Sequence, residues 1–209
     1  MKITAIEKQK KIRDRYNIYL DNEFAFGLYE DTVQKFGLRS NDELPEEKLN
    51  EIRNYDELCF GKYIAYSFLS YKPRSEKEVY RKLKANKISE NSIKKIISQF
   101  TELKYIDDRA YAKLYIESRL NSKPSGRRLI KLKLTGKGIE SETADNALNE
   151  IYNETDEFSS AIKLTEKYAK KLKSMSDFDR RKKCFSYLIS RGFDFDTANN
   201  VLNELKLNS

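Results

Sequence analysis

Leu83-Lys84-Ala85-Asn86-Lys87-Ile88, Leu134-Thr135-Gly136-Lys137-Gly138-Ile139 and Leu188-Ile189-Ser190-Arg191-Gly192-Phe193 are three copies of one short pattern, offset by 51 and then 54 residues. Internal repetition at this period points to stacked supersecondary units. Downstream the register runs on without a gap: Ile93, Ala144 and Ala198, then Ile96, Ala147 and Val201, then Ile97, Leu148 and Leu202. These fall at i, i+3 and i+4, one face of a helix. The second and third copies turn at Gly138 and Gly192, where a left-handed backbone carries no Cβ strain just past a helix end. The first copy has Lys87 there, which must bear that strain or turn differently. Ser89, Glu140 and Asp194 follow as polar starters of the next helix.

Upstream, each copy carries another amphipathic helix. Its apolar positions are Leu58, Ala65, Phe68 and Leu69 in the first copy and Ala112, Tyr115 and Ile116 in the second. In the third they are Phe158, Ala161, Ile162, Thr165, Tyr168, Ala169 and Leu172. A middle helix comes between. In the first copy it opens at Ser75-Glu76-Lys77-Glu78, a capping box in which Ser75 and Glu78 satisfy each other's backbone N–H groups, with Val79 and Leu83 as its apolar face. In the second copy Ile130, Leu132 and Leu134 alternate as a strand would, but the repeat register requires a helix. The reading is a mainly α protein with three tandem three-helix bundle repeats forming an elongated body. The expected divisions are 56–107, 108–153 and 154–209, behind an extension over 1–55.

That extension reads as small and α+β. Arg13 to Leu20 and Phe24 to Leu28 flank Asp21-Asn22-Glu23 as a β-hairpin. A three-residue turn sets Leu20 opposite Phe24 and Ile18 opposite Phe26, all four on one face. Lys2 to Lys8 is a third strand, Tyr29 to Phe36 a helix stopped by Gly37, and Pro45 opens a short helix from Glu46 to Asn54.

Composition narrows the chemistry. The 209 residues contain no His, so a Ser-His-Asp triad and a His-ligated metal are excluded. Cys59 and Cys184 lie too far apart for a metal motif and read as reduced thiols of a cytoplasmic protein. There is no apolar run long enough to span a membrane, no signal-peptide stretch and no phosphate-binding glycine loop. Net charge is +8, and none of the excess lies in the extension: residues 1–55 hold 10 bases and 11 acids, the rest 31 and 22. From Arg119 to Lys137 there are seven bases and no acid, and from Lys163 to Lys183 nine bases and three acids. Such runs are either a footprint for a polyanion or acidic surface, or solvated helix faces.

Four segments are diagnostic together: Lys72-Pro73-Arg74-Ser75-Glu76-Lys77-Glu78-Val79, Lys104-Tyr105-Ile106-Asp107-Asp108-Arg109-Ala110-Tyr111-Ala112, Leu134 to Ile139, and Tyr187-Leu188-Ile189-Ser190-Arg191-Gly192-Phe193. In order and spacing they closely resemble the RecX family of bacterial regulatory proteins, over roughly residues 58–207. Residues 1–55 look like the extension of its longer members. The resemblance implies a cytoplasmic, non-enzymatic modulator of RecA, a monomer with no cofactor. It would lie in the groove of the RecA–DNA filament and restrain strand exchange and the coupled ATPase. Binding to single-stranded and double-stranded DNA would be weak and salt-sensitive, with no membrane partner. Lys87 and the missing His depart from the family pattern without removing that expectation.

The binding face is expected at Arg119, Lys123, Arg127, Arg128, Lys131, Lys133 and Lys137, with Arg127 and Arg128 as bidentate anchors. Lys170, Lys171, Arg181, Lys182 and Lys183 extend it, and Arg74, Lys77, Arg81 and Lys82 join from the first repeat. Ser75, Glu78, Gly138, Gly192 and Phe193 are motif residues with structural roles. Asp107 and Asp108 read as helix caps rather than a metal-binding pair. Arg191, like the aligned Lys137, either favours a helix C-terminus or contacts a partner. Tyr side chains either pack or stack on bases. The competing function is a transcriptional regulator reading duplex DNA through one helical unit.

Overall fold

The computed structural model describes residues 1–10, 14–152 and 157–207, without the Tyr152 side chain. The expected strand start at Arg13 and the division at 153/154 lie outside the described residues. Helices dominate, and the contacts gather into two compact units, Met1–Pro73 with Val79–Ile106 and Arg74–Glu78 with Asp107–Ser209.

The first unit opens with β1 (Ile3–Lys8), β2 (Arg15–Leu20) and β3 (Glu23–Tyr29), an antiparallel sheet in the order β1-β2-β3. Ile18 faces Phe26 as expected, but Leu20 pairs with Glu23 and Tyr19 with Phe24. The turn is two residues long, not three, because Asp21 and Asn22 both take positive φ (49° and 73°). That turn matches the strand twist. A bulge between Ile18 and Tyr19 then restores the register and leaves Phe24 mostly exposed, off the expected face. Ile3, Ile18, Leu20 and Leu28 bury with Leu38, Leu44 and Ile52. A short helix α1 (Glu30–Lys35) follows.

Helix α2 runs from Glu46 to Tyr71 over 26 residues. It absorbs both the helix expected to stop at Asn54 and the first helix of the repeat. Nothing between them breaks a helix, and Asp56 within it is buried against the sheet, accepting from Tyr29 N–H (2.6 Å) and Thr32 Oγ (2.9 Å). Helices α3 (Glu76–Ala85) and α4 (Glu90–Glu102) complete the first three-helix repeat, whose core holds Ala65, Val79, Leu83, Ile93, Ile96 and Phe100. Each fully buried Ile or Leu of this set contributes about 1.5–3 kcal/mol. Lys87 does bear the left-handed strain, at φ 62°.

In the second unit, α5 (Asp108–Ser122), α6 (Arg127–Gly136) and α7 (Ser141–Tyr152) bury Ala112, Ile116, Ile130, Leu134, Ala144, Ala147 and Leu148. The segment that alternated like a strand is helical, with Leu132 on the solvent side at 68% exposure. Then come α8 (Glu157–Ala169), a 3-10 turn (Lys170–Leu172), α9 (Asp177–Ser190) and α10 (Phe195–Glu204). Ala161, Leu188, Phe193, Ala198 and Val201 form the third core.

Candidate functional site

The motif residues form a joint that occurs twice in the second unit. Ser75 donates its hydroxyl to the Lys137 carbonyl (2.7 Å), and Gly126 donates its N–H to the Arg191 carbonyl (2.9 Å). Each donor lies eight residues before its copy's anchor leucine, and each carbonyl three residues after the next copy's. Gly138 and Gly192 have positive φ (97° and 85°). A Cβ on Gly138 would stand 2.3 Å from the Lys77 stem, and one on Gly192 2.3 Å from the Leu129 backbone.

The acids follow the same rule. Asp107 caps its own helix, accepting from Ala110 N–H (2.9 Å). Asp108 instead accepts from Glu76 N–H at the start of α3 (2.8 Å), as Glu157 accepts from Arg127 N–H at the start of α6 (3.1 Å). An acid opening one repeat thus caps the middle helix of the repeat before it, where the helix dipole favours negative charge. Burial pushes both carboxyls above the usual range, and the accepted N–H bonds pull the other way. The capping box is present: Ser75 N–H to Glu78 and Glu78 N–H to Ser75 are both 3.3 Å. Burial raises the Glu78 carboxyl, but Lys137 and the Ser75 N–H outweigh it and hold it low.

The bases sort into two groups. Lys137 pairs with Glu78 (3.0 Å) and lies over the Tyr111 and Tyr115 rings; Lys131 pairs with Asp145 (2.6 Å). Arg119 lies over Tyr115 and donates to its hydroxyl (3.0 Å), and Arg191 does the same to Tyr187 (3.1 Å). Arg127 donates to Asn149 and Arg181 to Asn203, the same positions in successive copies. Arg74 is also engaged, and Lys82 lies over Phe68. In contrast Lys77, Arg81, Lys123, Arg128, Lys133, Lys170, Lys171, Lys182 and Lys183 are exposed, with no hydrogen-bond, ion-pair or ring partner for their charged groups among the described residues. Three of these share one register position: Lys77, Arg128 and Lys182 each lie six residues before the anchor leucine.

Comparison with known proteins finds four matched stretches. The descriptions "Regulatory protein RecX N-terminal domain" and "RecX, first three-helix domain" match residues 1–45 and 62–100. The second and third three-helix domains of RecX match 107–148 and 154–202. Regulatory protein RecX of Leuconostoc mesenteroides is 36% identical over 98% of this chain and 76% of its own length. The chain belongs to the RecX family. Regulatory protein RecX of Staphylococcus aureus is 35% identical over 98% of this chain and 74% of its own. A crystal structure of regulatory protein RecX superposes with TM-score 0.77 at 30% identity, covering 97% of this chain and 98% of that one. RecX from Lactobacillus salivarius gives 0.67 at 33% identity, covering 74% and 99%. No helix among the described residues is long and apolar enough to cross a membrane.

Sequence reasoning missed Gly126, Glu157, Asn149 and Asn203. A signal for three of them was present: Glu157 follows Arg127 at nearly the spacing by which Asp108 follows Glu76, and Asn149 and Asn203 align at the repeat offset.

Proposed function

We propose that this chain is a cytoplasmic, non-catalytic modulator of RecA that docks on the RecA–DNA filament and restrains its strand exchange and ATPase. Membership of the RecX family supports the partner, and one observation supports the surface. A base whose charged group has no partner among the described residues recurs at the same position of all three repeats, as Lys77, Arg128 and Lys182. A repeated, unneutralised charge suits a partner that is itself a repeating polyanion. Lys123, Lys133, Lys170, Lys171 and Lys183 add to it, while Arg127, Lys131, Lys137 and Arg181 hold the repeats in shape. The proposed divisions remain 1–55, 56–107, 108–153 and 154–209, with the helical repeats carrying the binding.

The test is direct. Added to RecA, single-stranded DNA and ATP, the purified chain lowers ATP turnover and strand exchange at or below stoichiometric ratios. Unchanged turnover and exchange at every ratio refute the proposal. Its own DNA affinity is expected to fall steeply with salt and to be indifferent to sequence; a sequence-specific duplex footprint would instead favour a transcriptional regulator.

A further inference from the structure

The seam between the middle and third helices differs among the repeats. In the second copy Lys131 closes it on Asp145 (2.6 Å). In the first, Tyr80 donates to Glu90 (3.0 Å). In the third, the positions of Tyr80 and Glu90 are Phe185 and Phe195, whose rings meet edge to face at 5.2 Å, and the position of Asp145 is Asn199. The polar closure is gone. An apolar pocket of about 340 Å³ opens there, walled by Phe178, Phe185, Phe195 and Leu202 with Arg181 and Lys182 beside them. Phe178 and Phe195 are 64% and 61% exposed, an unusual state for two neighbouring aromatics.

The pocket lining itself is positive: it carries two bases, Arg181 and Lys182, and no acid. Among the described residues the Arg181 guanidinium binds two neutral acceptors, the Leu207 carbonyl (2.7 Å) and Asn203 Oδ1 (3.2 Å), neither of which offsets its charge. Lys182 has no partner among the described residues. Of the nearby acids, Asp177 pairs with Arg180, and Asp179 and Asp194 bind the neutral donors Ser176 Oγ and Thr197 N–H; these three and Asp196 all lie outside the pocket lining. A second copy of this chain would bring like charges together. Nucleobases favour flat aromatic platforms; here Phe185 and Phe195 stand edge to face, at 77°, and present no such platform.

We infer that the third repeat carries a docking pocket between α9 and α10 for a large apolar side chain on an acidic segment of a partner protein. Phe178 and Phe195 enclose the apolar anchor, and Arg181 and Lys182 select the flanking carboxylates. The inference does not depend on RecA being the partner.

The probe is a capped, fluorescein-labelled polyglutamate peptide with one central phenylalanine, followed by anisotropy with the full chain. It is expected to bind saturably, and the same peptide with a central alanine about tenfold or more weakly, the loss that goes with one buried aromatic. Phe178→Ser/Phe195→Ser removes that discrimination, and Lys182→Glu weakens binding of the phenylalanine peptide. Lys182 makes no core contact, so this variant keeps the test decisive should the double variant fail to fold. Equal binding of the two peptides, or discrimination that survives the Phe178→Ser/Phe195→Ser change in folded protein, overturns the proposal. So does an oligothymidylate that displaces the peptide from the phenylalanine-dependent site at lower concentration, which would make it a base-stacking site.

Discussion

Gly126 has an ordinary extended backbone (φ −66°, ψ 160°), so its lack of a side chain answers to space rather than to conformation. A Cβ there would lie 2.3 Å from the Gly192 carbonyl carbon and oxygen and from Phe193 N, backbone that cannot swing aside. Gly126→Ala is expected to cost about 3 kcal/mol, as overpacking does, seen as a lower urea midpoint. Lys87 is the converse case. It takes φ 62° in the turn where the other copies have glycine. Lys87→Gly should stabilise the chain by about 1 kcal/mol by relieving left-handed strain, measurable by the same titration. Gly138 and Gly192 were legible in the sequence because a helix-end glycine is a local signal, whereas for Lys87 the sequence left strain and a different turn both open and the structure shows the strain. Gly126 was not legible, because its constraint comes from a backbone 66 residues away.

Among elements, the caps of α3 and α6 by Asp108 and Glu157 are one of the links between successive repeats, beside the Ser75–Lys137 and Gly126–Arg191 bonds. Asp108→Ala should cost about 1 kcal/mol through the uncapped N–H of α3. The double change Asp108→Asn/Glu157→Gln keeps an acceptor at each helix start and removes two carboxylates that burial disfavours. Because both pKa values are raised on folding, the ionised forms cost stability above the folded pKa. That cost is relieved as pH falls towards the ordinary carboxylate range. Urea unfolding should therefore find the double variant at least as stable as the parent at neutral pH, with the parent gaining on it in mild acid. Glu78 acts in the opposite sense: its contribution is present above the ordinary carboxylate pKa and is lost as pH falls through its lowered folded value. The helices themselves were readable from apolar spacing, down to α6, where register correctly overruled alternation. Helix α2 was divided too early, because a helix shared by two cores shows two apolar faces in succession and no single stripe. The β2–β3 turn was misjudged because Asp21 and Asn22 supply positive φ without glycine.

At the scale of the whole molecule, net charge pointed to a polyanion or acidic partner, and its concentration outside residues 1–55 held as a sequence fact. What composition did not reveal is how many bases the fold already uses. Arg127 looked like an anchor by residue type, yet it and its counterpart Arg181 tie helices together through Asn149 and Asn203. Subtracting such engaged bases leaves a smaller set, in which the Lys77, Arg128 and Lys182 position alone is filled in every repeat. The measurement that bears most directly on the account is the affinity of the triple variant Lys77→Glu/Arg128→Glu/Lys182→Glu for RecA filaments assembled on single-stranded DNA. It should be compared with the parent and with a matched reversal at the exposed Lys48, Lys94 and Lys95. The account predicts a loss of about tenfold or more, ~1.4 kcal/mol, for the first variant only, with its helical signal and unfolding midpoint unchanged. Equal affinity of the folded triple variant and the parent would contradict it.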